Sequence, residues 1–410
     1  MSYSQKELIV LTTQFPYGNQ EAFLELEIIE LAKVFNKISI VPTTSGGAPR
    51  NIPSNCEVLD LPNSLTGIQK YFELFNPISL YNAGHIILKE IVAGGGSEFF
   101  QAPIKSFRKA MFINRYSKWV ESRFKYKNQD IDTIIYSYWF DPVILAWKNH
   151  GNCTLVCRSH SSDTYKGITN QILKYGLIAN VSRVFCISNF VQEYVKDFWN
   201  APHEKIAISR LGVRIPVNKK ETVKDNDSFT IVSCSNMIPL KRTAQIAKAI
   251  LNIETERKIK WYHFGDGECR QEVEELIKDY KENELFQLEL MGSVSNQEVL
   301  SFYEKNAVDV FVNFSTSEGI PVSIMEAFSY QIPTICKDVG ACSEIVSNGY
   351  NGLLLAADAS VPDLTKAIQK LLQMDRIDNI QMNENALNTV IQDYSLNNYS
   401  KFAQSLIRLK

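Results

Sequence analysis

The segment SEGIPVSIMEAF, residues 317–328, is the part of the sequence that most sharply predicts a fold. It follows an apolar run, Val308–Phe314, that is typical of a buried central strand. Pro321 suits the first turn of a helix, where its missing N–H leaves no bond unmade. The pattern therefore predicts a strand, a polar turn and then a helix over Val322–Tyr330.

Two glutamates flank the start of this predicted helix. Glu318 precedes it, and Glu326 lies inside it, four residues after Val322 and therefore one turn deeper on the same face. Free N–H groups at a helix start bind anions, so this end suits a phosphorylated ligand. Carboxylates beside phosphates make chemical sense when they accept hydrogen bonds from hydroxyls, such as those of a sugar and a ribose. The simpler alternative is one charge favoured by the helix dipole plus one solvated glutamate.

The same alternation of strands and helices extends along the chain in both directions. Short β-rich runs separated by helical segments are typical of βαβ units in a parallel sheet covered on both faces. An irregular, mostly helical insertion at about residues 49–130 interrupts the pattern in the first half. The predicted strands are Leu8–Thr12, Lys37–Val41, Thr133–Ser137, Thr154–Arg158, Val184–Ser188, Ile206–Arg210, Phe229–Ser235, Lys258–Phe264, Phe286–Met291, Val308–Phe314 and Ile332–Lys337.

The predicted fold class is therefore α/β, with two Rossmann-like, doubly wound domains facing a central cleft. Ligands of such sheets bind beyond the carboxyl ends of the strands. The polar segment at residues 213–228 is the best linker candidate. We expect one domain at residues 1–213, a second at 229–392, and a final helix at 393–410, N-capped by Ser395, that crosses back to the first domain.

Composition narrows the class of protein. The 410 residues suit two domains, and the net charge of -2 provides no field for nucleic acid. No signal segment and no apolar run of about 20 residues is present, so we expect a cytoplasmic protein. The eight cysteines form no CxxC pair, and the DID motif at 130–132 begins a predicted strand, the wrong end for a ligand. We therefore expect no metal.

Two more strand ends carry chemistry. The segment SCSNMIPLKR, residues 233–242, ends in Lys241 and Arg242, which would neutralise a diphosphate at the same sheet edge. The alternative is a basic helix start, which the helix dipole disfavours. In HFGDGE, residues 263–268, Gly265 and Gly267 allow a ligand to approach the backbone closely. A third glycine is missing, so this is not a dinucleotide fingerprint.

In this order the segments resemble the retaining nucleotide-sugar glycosyltransferases of family 4, which have the GT-B fold. The most specific match is EGIPVSIMEA, with its two glutamates eight positions apart. Looser matches cover nearly all of the chain outside about residues 49–130. They are KR at 241–242, GDG at 265–267, MGSVS at 291–295, VGACSEIV at 339–346, FPYGNQEAFLELEI at 15–28, CRSHSSDTY at 157–165, CISNF at 186–190 and SRLGV at 209–213.

The resemblance implies roles for individual residues. Glu318 would contact the donor sugar near its reacting carbon, and Glu326 would hold the ribose. Lys241 would stabilise the leaving diphosphate, and His160 would position the sugar. Asn236 stands where the family often has an arginine, so Arg242 would have to supply that charge. The implied catalytic residues are Glu318, His160 and Lys241, and the implied donor-binding residues are Gly18, Asn236, Arg242, Gly265, Gly267, Gly319, Ile320, Pro321, Val322 and Glu326.

By the same resemblance, the protein transfers a hexose with retention from a nucleoside-diphosphate sugar to a glycan acceptor. We expect that acceptor to be lipid-linked, in bacterial surface polysaccharide synthesis. The cations and the helix start would stabilise the leaving group without a metal, and no cofactor is expected beyond the co-substrate. Two alternatives remain open: a nucleotide-sugar epimerase or sugar phosphorylase on the same fold, and a non-catalytic glycan-binding relative.

The insertion carries a basic segment at residues 105–127 with interleaved aromatic side chains. Such a helix suits an anionic membrane surface or a lipid-diphosphate acceptor. The alternative is a solvated basic face that packs through its aromatics. We expect a protein that is cytoplasmic or peripheral on the inner face of the membrane, with acceptor or membrane contacts from Lys105, Arg108, Lys109, Arg115 and Lys118.

Overall fold

Seven parallel strands form the sheet of the first half of the chain. The structure is a computed structural model that describes residues 6–18, 21–44, 46–59, 77–92, 96, 100, 103–124, 132–164, 173–217, 227–280 and 283–409. The strands lie in the spatial order β3-β2-β1-β4-β5-β6-β7. They are β1 (Glu7–Thr12), β2 (Ile38–Pro42), β3 (Cys56–Val58), β4 (Thr133–Ser137), β5 (Cys153–Ser159), β6 (Arg183–Cys186) and β7 (Ile206–Ile208).

Six parallel strands form the second sheet, in the order β10-β9-β8-β11-β12-β13. They are β8 (Ser228–Cys234), β9 (Lys258–Phe264), β10 (Phe286–Gly292), β11 (Val310–Asn313), β12 (Thr334–Lys337) and β13 (Gly352–Leu355). Strands β8, β11 and β12 are almost fully buried, as strands of a parallel sheet with helices on both faces are, whereas the edge strand β10 is partly exposed. The prediction of two doubly wound α/β units is therefore confirmed, although β3 and β13 were not predicted.

The α-helices of the described residues connect and cover these strands. In the predicted insertion they are α2 and α3, and part of that insertion, residues 60–76 among them, lies outside the described residues. The helices are α1 (Leu24–Ala32), α2 (Pro77–Glu90), α3 (Pro103–Phe124), α4 (Lys174–Asn180), α5 (Asn189–Trp199), α6 (Thr243–Leu251), α7 (Arg270–Ile277), α8 (Asn296–Lys305), α9 (Val322–Ser329), α10 (Val361–Leu372), α11 (Arg376–Asp393) and α12 (Asn397–Ile407).

The chain divides into two units, each with its own core. The first unit is Met1–Arg210 together with Asn397–Lys410, and the second is Leu211–Leu396. Most of the predicted linker, at residues 218–226, lies outside the described residues. Helix α12 packs into the first unit against α1, and Phe402 contacts the rings of Tyr136 and Phe185.

A buried ion pair lies in the core of the first unit. Nη1 of Arg158 donates to Oε2 of Glu27 over 2.6 Å, and neither side chain is exposed. The guanidinium lies 4.2 Å from the centre of the Phe402 ring. Burial, which lowers the pKa of Arg158, is outweighed by Glu27 and the neighbouring tyrosines, so that pKa is raised. Burial also raises the pKa of Glu27, against the opposing effects of Arg158 and Tyr136. The contacts of the pair join α1, β5 and α12.

Both sheets reverse their strand order at one point. In the first sheet β1 lies beside β4, and in the second β8 lies beside β11. Loops that follow such neighbouring strands leave in opposite directions and open a crevice at the carboxyl edge, where doubly wound folds bind ligands. These two switch points are therefore the places to look for chemistry.

Candidate functional site

The switch point of the second sheet brings Lys241 and Glu318 together. Lys241 ends a 3₁₀ turn after β8, and Glu318 lies in the loop between β11 and α9. The Lys241 Nζ lies 2.6 Å from Oε1 of Glu318, and Nδ2 of Asn313 donates to the same oxygen over 3.1 Å. Glu318 is only 9% exposed. The structure thus holds a shielded, charge-paired carboxylate at the ligand-binding edge of the sheet.

Close backbone packing fixes the loops around this pair. At Gly340 φ is +59°, and an added Cβ would lie 1.7 Å from the carbonyl oxygen of Glu318. At Gly265 φ is +136°, and an added Cβ would lie 1.9 Å from the carbonyl oxygen of Ser235. The N–H of Thr316 also donates to the carbonyl of Leu240 over 2.9 Å. Side chains cannot be added at these glycines without moving the loop that carries Glu318 or the one that leads to Lys241.

Gly267 belongs to the same set of close contacts. An added Cβ there would lie 2.5 Å from the carbonyl oxygen of Met237. The Met237 N–H donates to the carbonyl of Asp266 and the Cys269 N–H donates to the carbonyl of Met237, each over 2.9 Å. The two predicted glycines therefore pack against the loop after β8, and Asn236 in that loop is exposed.

Glu326 lies in α9, a helix that is otherwise apolar and buried. Its carboxylate is 8% exposed and accepts from Nδ2 of Asn296, at the start of α8, over 2.7 Å. Burial raises the pKa of Glu326 to about 7, although the bond from Asn296 lowers it. Burying a carboxylate is unfavourable unless it has a hydrogen-bond partner, which Asn296 provides here. Glu326 is therefore not the solvated glutamate of the simpler alternative.

Helix α9 begins at Val322, as predicted, but Pro321 lies just before its first turn. Pro321 is the N-cap residue. Ile320, Pro321 and Val322 are buried, while Gly319 is partly exposed and its carbonyl accepts from the Ala341 N–H over 3.2 Å.

Cations surround Phe314, the first residue after β11. The guanidinium of Arg242 lies 6.0 Å from the ring centre, and the ammonium of Lys337 lies 5.1 Å from it. Burial and Arg242 lower the pKa of Lys337. Lys337 was not predicted as a site residue. Its position was a possible signal, because a polar residue at the carboxyl end of a parallel strand, here β12, lies at the edge where ligands bind. With Lys241, three cationic side chains lie near this edge.

The switch point of the first sheet is organised by Glu21, another residue that was not predicted. Its carboxylate accepts from the backbone N–H groups of Thr13, Gln14 and Phe15 over 2.7, 2.8 and 2.7 Å. Trp139 Nε1, which follows β4, donates to it over 2.6 Å. In the same loop Gly18 has φ +61°. Glu21 therefore holds the loop after β1 against the segment after β4.

His160 follows β5 and is buried beside Tyr138 and Trp139, with ring centres 4.6 and 4.8 Å away. Its Nε2 lies 3.0 Å from the carbonyl oxygen of Tyr138, which can only accept, so Nε2 carries the proton. Burial and Arg158 lower the pKa of His160 to about 3. The ring is neutral near pH 7, and Nδ1 is a hydrogen-bond acceptor.

Asp163 holds the loop of His160 in place. Its Oδ1 accepts from the His160 N–H over 2.8 Å, and its Oδ2 accepts from the Phe140 N–H over 2.7 Å. Burial raises the pKa of Asp163 to about 6, against Lys174 and these hydrogen bonds. Asp163 was not predicted as a site residue, because its partner Phe140 is 23 residues away in the sequence.

The basic residues of α3 have different surroundings. Lys105, Arg108 and Lys118 are exposed, and Lys118 donates to Oγ of Ser79 over 3.2 Å. Lys109 pairs with Asp141 over 2.7 Å, and Arg115 lies 5.3 Å from the centre of the Phe112 ring. The aromatic side turns inward, since Tyr116 and Phe124 are buried against Trp147. Lys125 and Lys127 lie outside the described residues.

Neither a metal cluster nor a membrane span occurs in the described ranges. No group of three or more His, Cys, Asp or Glu side chains there is placed to bind a metal. Asp132 of the DID motif lies at the amino end of β4 and accepts from Asn152, and the rest of that motif is outside the described residues. No described helix combines the length and apolar content needed to cross a bilayer.

Comparison with known proteins gives two family matches. Residues 215–389 match the family described as glycosyl transferases group 1, and residues 89–215 match glycosyltransferase family 4. An uncharacterized glycosyltransferase of Methanocaldococcus jannaschii is 27% identical over 229 residues, 56% of this chain and 58% of that protein. The O-antigen biosynthesis glycosyltransferase WbnH of Escherichia coli is 25% identical over 51% of this chain and 64% of its own length. The matched regions thus span about three-fifths of these relatives.

A solved structure extends the likeness of the fold to nearly the whole chain. The Anabaena protein HepE, crystallised in complex with UDP, superimposes with a TM-score of 0.68. The alignment covers 98% of this chain and 100% of that one, at 16% sequence identity. At that identity the likeness concerns the fold alone.

Proposed function

The chain belongs to family 4 of the glycosyltransferases and has the GT-B fold, and from this we propose that it is a retaining transferase that moves a hexose from a nucleoside-diphosphate sugar to a glycan acceptor. The observation that carries the proposal is the Lys241–Glu318 pair at the switch point of the second sheet. A charge-paired carboxylate and ammonium there suit a ligand with both hydroxyl groups and phosphates.

Each group has a chemical task in this proposal. As the bond between sugar and diphosphate breaks, negative charge grows on the leaving group. Lys241, Arg242 and the amino end of α9 stabilise that charge, because preorganised donors are strongest where charge develops. Glu318 accepts from the sugar hydroxyls, and Glu326 accepts from the ribose. His160 presents the neutral acceptor Nδ1 rather than a base that titrates near pH 7.

Retention follows from an attack on the same face that the diphosphate leaves. The leaving phosphate accepts the proton of the acceptor hydroxyl, so no protein nucleophile is needed. The proposed role in surface polysaccharide synthesis is supported by the relative that is named for O-antigen biosynthesis. A lipid-linked acceptor is part of the same proposal.

A ligand panel tests the donor assignment. We expect nucleoside diphosphates and their sugars to raise the melting temperature of the wild type, by mass action on the folded state. Glu318→Gln and Lys241→Ala should lose this shift, whereas Lys370→Ala, which removes an exposed lysine of α10, should keep it. If no nucleotide stabilises the wild type, the donor site is wrongly assigned.

The stereochemistry has its own measurement. Proton NMR of the product formed from an α-linked donor should show an α-linked sugar. A β-linked product would contradict retention while leaving the donor assignment intact. Release of a sugar phosphate without nucleotide would favour a phosphorylase.

We also propose that the first unit docks on an anionic membrane surface. Helix α2 and the two residues that follow it expose an apolar stripe at helical spacing, with Tyr81, Leu88 and Val92 respectively 74%, 58% and 80% exposed. Ile104, at the start of α3, is 68% exposed and is followed by the exposed cations Lys105 and Arg108. An apolar stripe beside cations suits anionic lipid headgroups.

Vesicle sedimentation tests this docking. The protein should sediment with phosphatidylglycerol vesicles and far less with neutral phosphatidylcholine vesicles. Leu88→Ser with Val92→Ser should reduce binding, and Lys196→Ala on α5 serves as a control for loss of a surface charge. Equal binding to both kinds of vesicle would contradict the proposal.

A further inference from the structure

A cavity of about 310 Å³ lies in the first unit, bordered by α2, α3, α4 and the 3₁₀ turn Pro142–Trp147. Its lining includes His150, just before β5, and Asn180, just before β6. It therefore lies near the amino ends of these strands, whereas His160 follows the carboxyl end of β5. The seven residues of β5 span roughly 20 Å. The proposed transfer chemistry leaves this cavity unexplained.

Two lysines meet at the cavity. Lys89 of α2 and Lys148, after the 3₁₀ turn, both line it. Burial lowers the pKa of Lys148, and Lys89 lowers it further. Two ammonium groups repel each other unless an anion lies between them.

The other titratable groups of the lining leave this charge in place. His85 and His150 also line the cavity. Of the two carboxylates, Glu90 already accepts from the backbone N–H groups of Tyr175 and Gly176 over 3.2 and 2.6 Å. Glu121 is exposed. The cavity therefore suits an anionic ligand.

One residue of this lining, Asn114, has an unused donor. Asn114 is 5% exposed, and its Oδ1 accepts from Nδ2 of Asn82 over 3.1 Å. In the described part of the chain, its own Nδ2 has no hydrogen-bond partner. A buried donor without an acceptor is destabilising, so it marks a place where a ligand oxygen would be favourable. Ser117 and further asparagines of the lining offer hydroxyl and amide groups.

We propose that this cavity binds a phosphate monoester of a small polyhydroxylated compound. Lys89 and Lys148 take the phosphate, and Asn114 and its neighbours take the hydroxyls. The volume is at the lower end of the range for ligand pockets, about 300–1,000 Å³, which suits a ligand the size of a phosphorylated monosaccharide. The same chemistry occurs in a free sugar phosphate and in a glycerophosphate headgroup. The proposal does not depend on glycosyl transfer.

Isothermal titration of the full chain tests the proposal. The protein used in this titration carries Lys241→Ala, so that phosphate binding at the proposed donor site does not contribute to the measured heat. We expect glucose 6-phosphate to bind more tightly than inorganic phosphate, and glucose not to bind. Lys89→Ala and Lys148→Ala should each raise Kd about tenfold or more, because each removes a charge-assisted contact. Lys196→Ala, which removes an exposed lysine of α5 outside the lining, should leave Kd unchanged.

A vesicle arm distinguishes the two sources, with a chain that also carries Leu88→Ser and Val92→Ser so that the proposed membrane-docking stripe does not contribute. If the ligand is a headgroup, phosphatidylglycerol vesicles bind in a manner that Lys148→Ala abolishes, and the soluble ester binds weakly. If neither probe binds, or if binding survives both Lys89→Ala and Lys148→Ala, the proposal is overturned.

Two further variants separate a ligand site from a structural pair. Lys148→Met should raise the melting temperature of the unliganded protein, because it removes the repulsion, while it abolishes ester binding. A structural role for the pair predicts a lower melting temperature instead. Asn114→Asp keeps the acceptor for Asn82 but replaces the unused donor with an acceptor, so ester binding should be lost.

Discussion

Substitution of Gly340 by alanine tests whether the late turn of the second sheet holds Glu318 in place. At φ +59° an alanine costs about 1–2 kcal/mol from backbone conformation alone. The added Cβ would also lie 1.7 Å from the carbonyl oxygen of Glu318, so the loop must move. Overpacking of this kind costs about 1–3 kcal/mol more.

Gly349 is the matched control, because its φ is +78° and an added Cβ would meet nothing within 4 Å. In urea unfolding, Gly349→Ala should therefore lower the free energy of unfolding only by the conformational cost of about 1–2 kcal/mol. Gly340→Ala should lower the free energy of unfolding by about 1–3 kcal/mol more than Gly349→Ala does. For a unit of this size, that difference corresponds to roughly 2–12 °C in melting temperature. It should also lower transferase activity on the order of 100-fold, since a displacement of about 1 Å at a reacting site has that effect. Equal losses of stability and activity in the two variants would refute the reasoning.

Three further perturbations follow from the buried charges. The folded-state pKa of Asp163 is raised to about 6, above the ordinary value, so the ionised form is disfavoured in the folded protein and stability should fall as the pH rises from about 4 to about 6. Asp163→Asn should flatten that part of the curve of melting temperature against pH, and an unchanged curve would contradict the assignment. Because the pKa of Glu326 is about 7, donor affinity in titration calorimetry should weaken as the pH falls through 7, and Glu326→Gln should remove this dependence. Arg158→Met leaves Glu27 buried and uncompensated and should cost about 3–5 kcal/mol in urea unfolding, whereas Arg158→Met with Glu27→Gln should cost much less, and equal costs would count against the pairing.

Much of the fold could be predicted because apolar strands end in polar turns. The runs that became β8, β9 and β11 are buried and are bounded by Gly, Ser, Asn or charged residues, so both the strands and their carboxyl ends were visible in the sequence. β3 was missed because it has three residues, and β13 because it begins at Gly352. Gly352 is required there, since an added Cβ would lie 2.1 Å from the carbonyl oxygen of Thr334.

The site was only partly visible, because a side chain's partner is set by tertiary contact. Lys241 and Glu318 were both singled out, but their ion pair joins residues 77 positions apart. The partner of Glu326, Asn296, begins a different helix, and Glu21 acts on a loop and on Trp139, 118 positions away. The roles assigned to these residues stay predictions.

Helical periodicity has a related limit in α3. The pattern showed aromatic and basic residues interleaved, but it could not show which side meets the protein. Tyr116 and Phe124 pack against Trp147, which follows β4. In α3 the exposed large apolar side chain is Ile104, at its start, and α2 exposes Tyr81 and Leu88.

The path of the chain through the two units has a consequence for biosynthesis. The second unit, Leu211–Leu396, is inserted between Arg210 and the helix α12, whose Phe402 fills the core of the first unit beside Tyr136 and Arg158. During translation the second unit is therefore fully synthesised while the first still lacks part of its core. Until α12 leaves the ribosome, Arg158 and Glu27 lack the apolar side chains of α12 that cover them in the folded protein. The first unit is therefore synthesised first but completes its folding last.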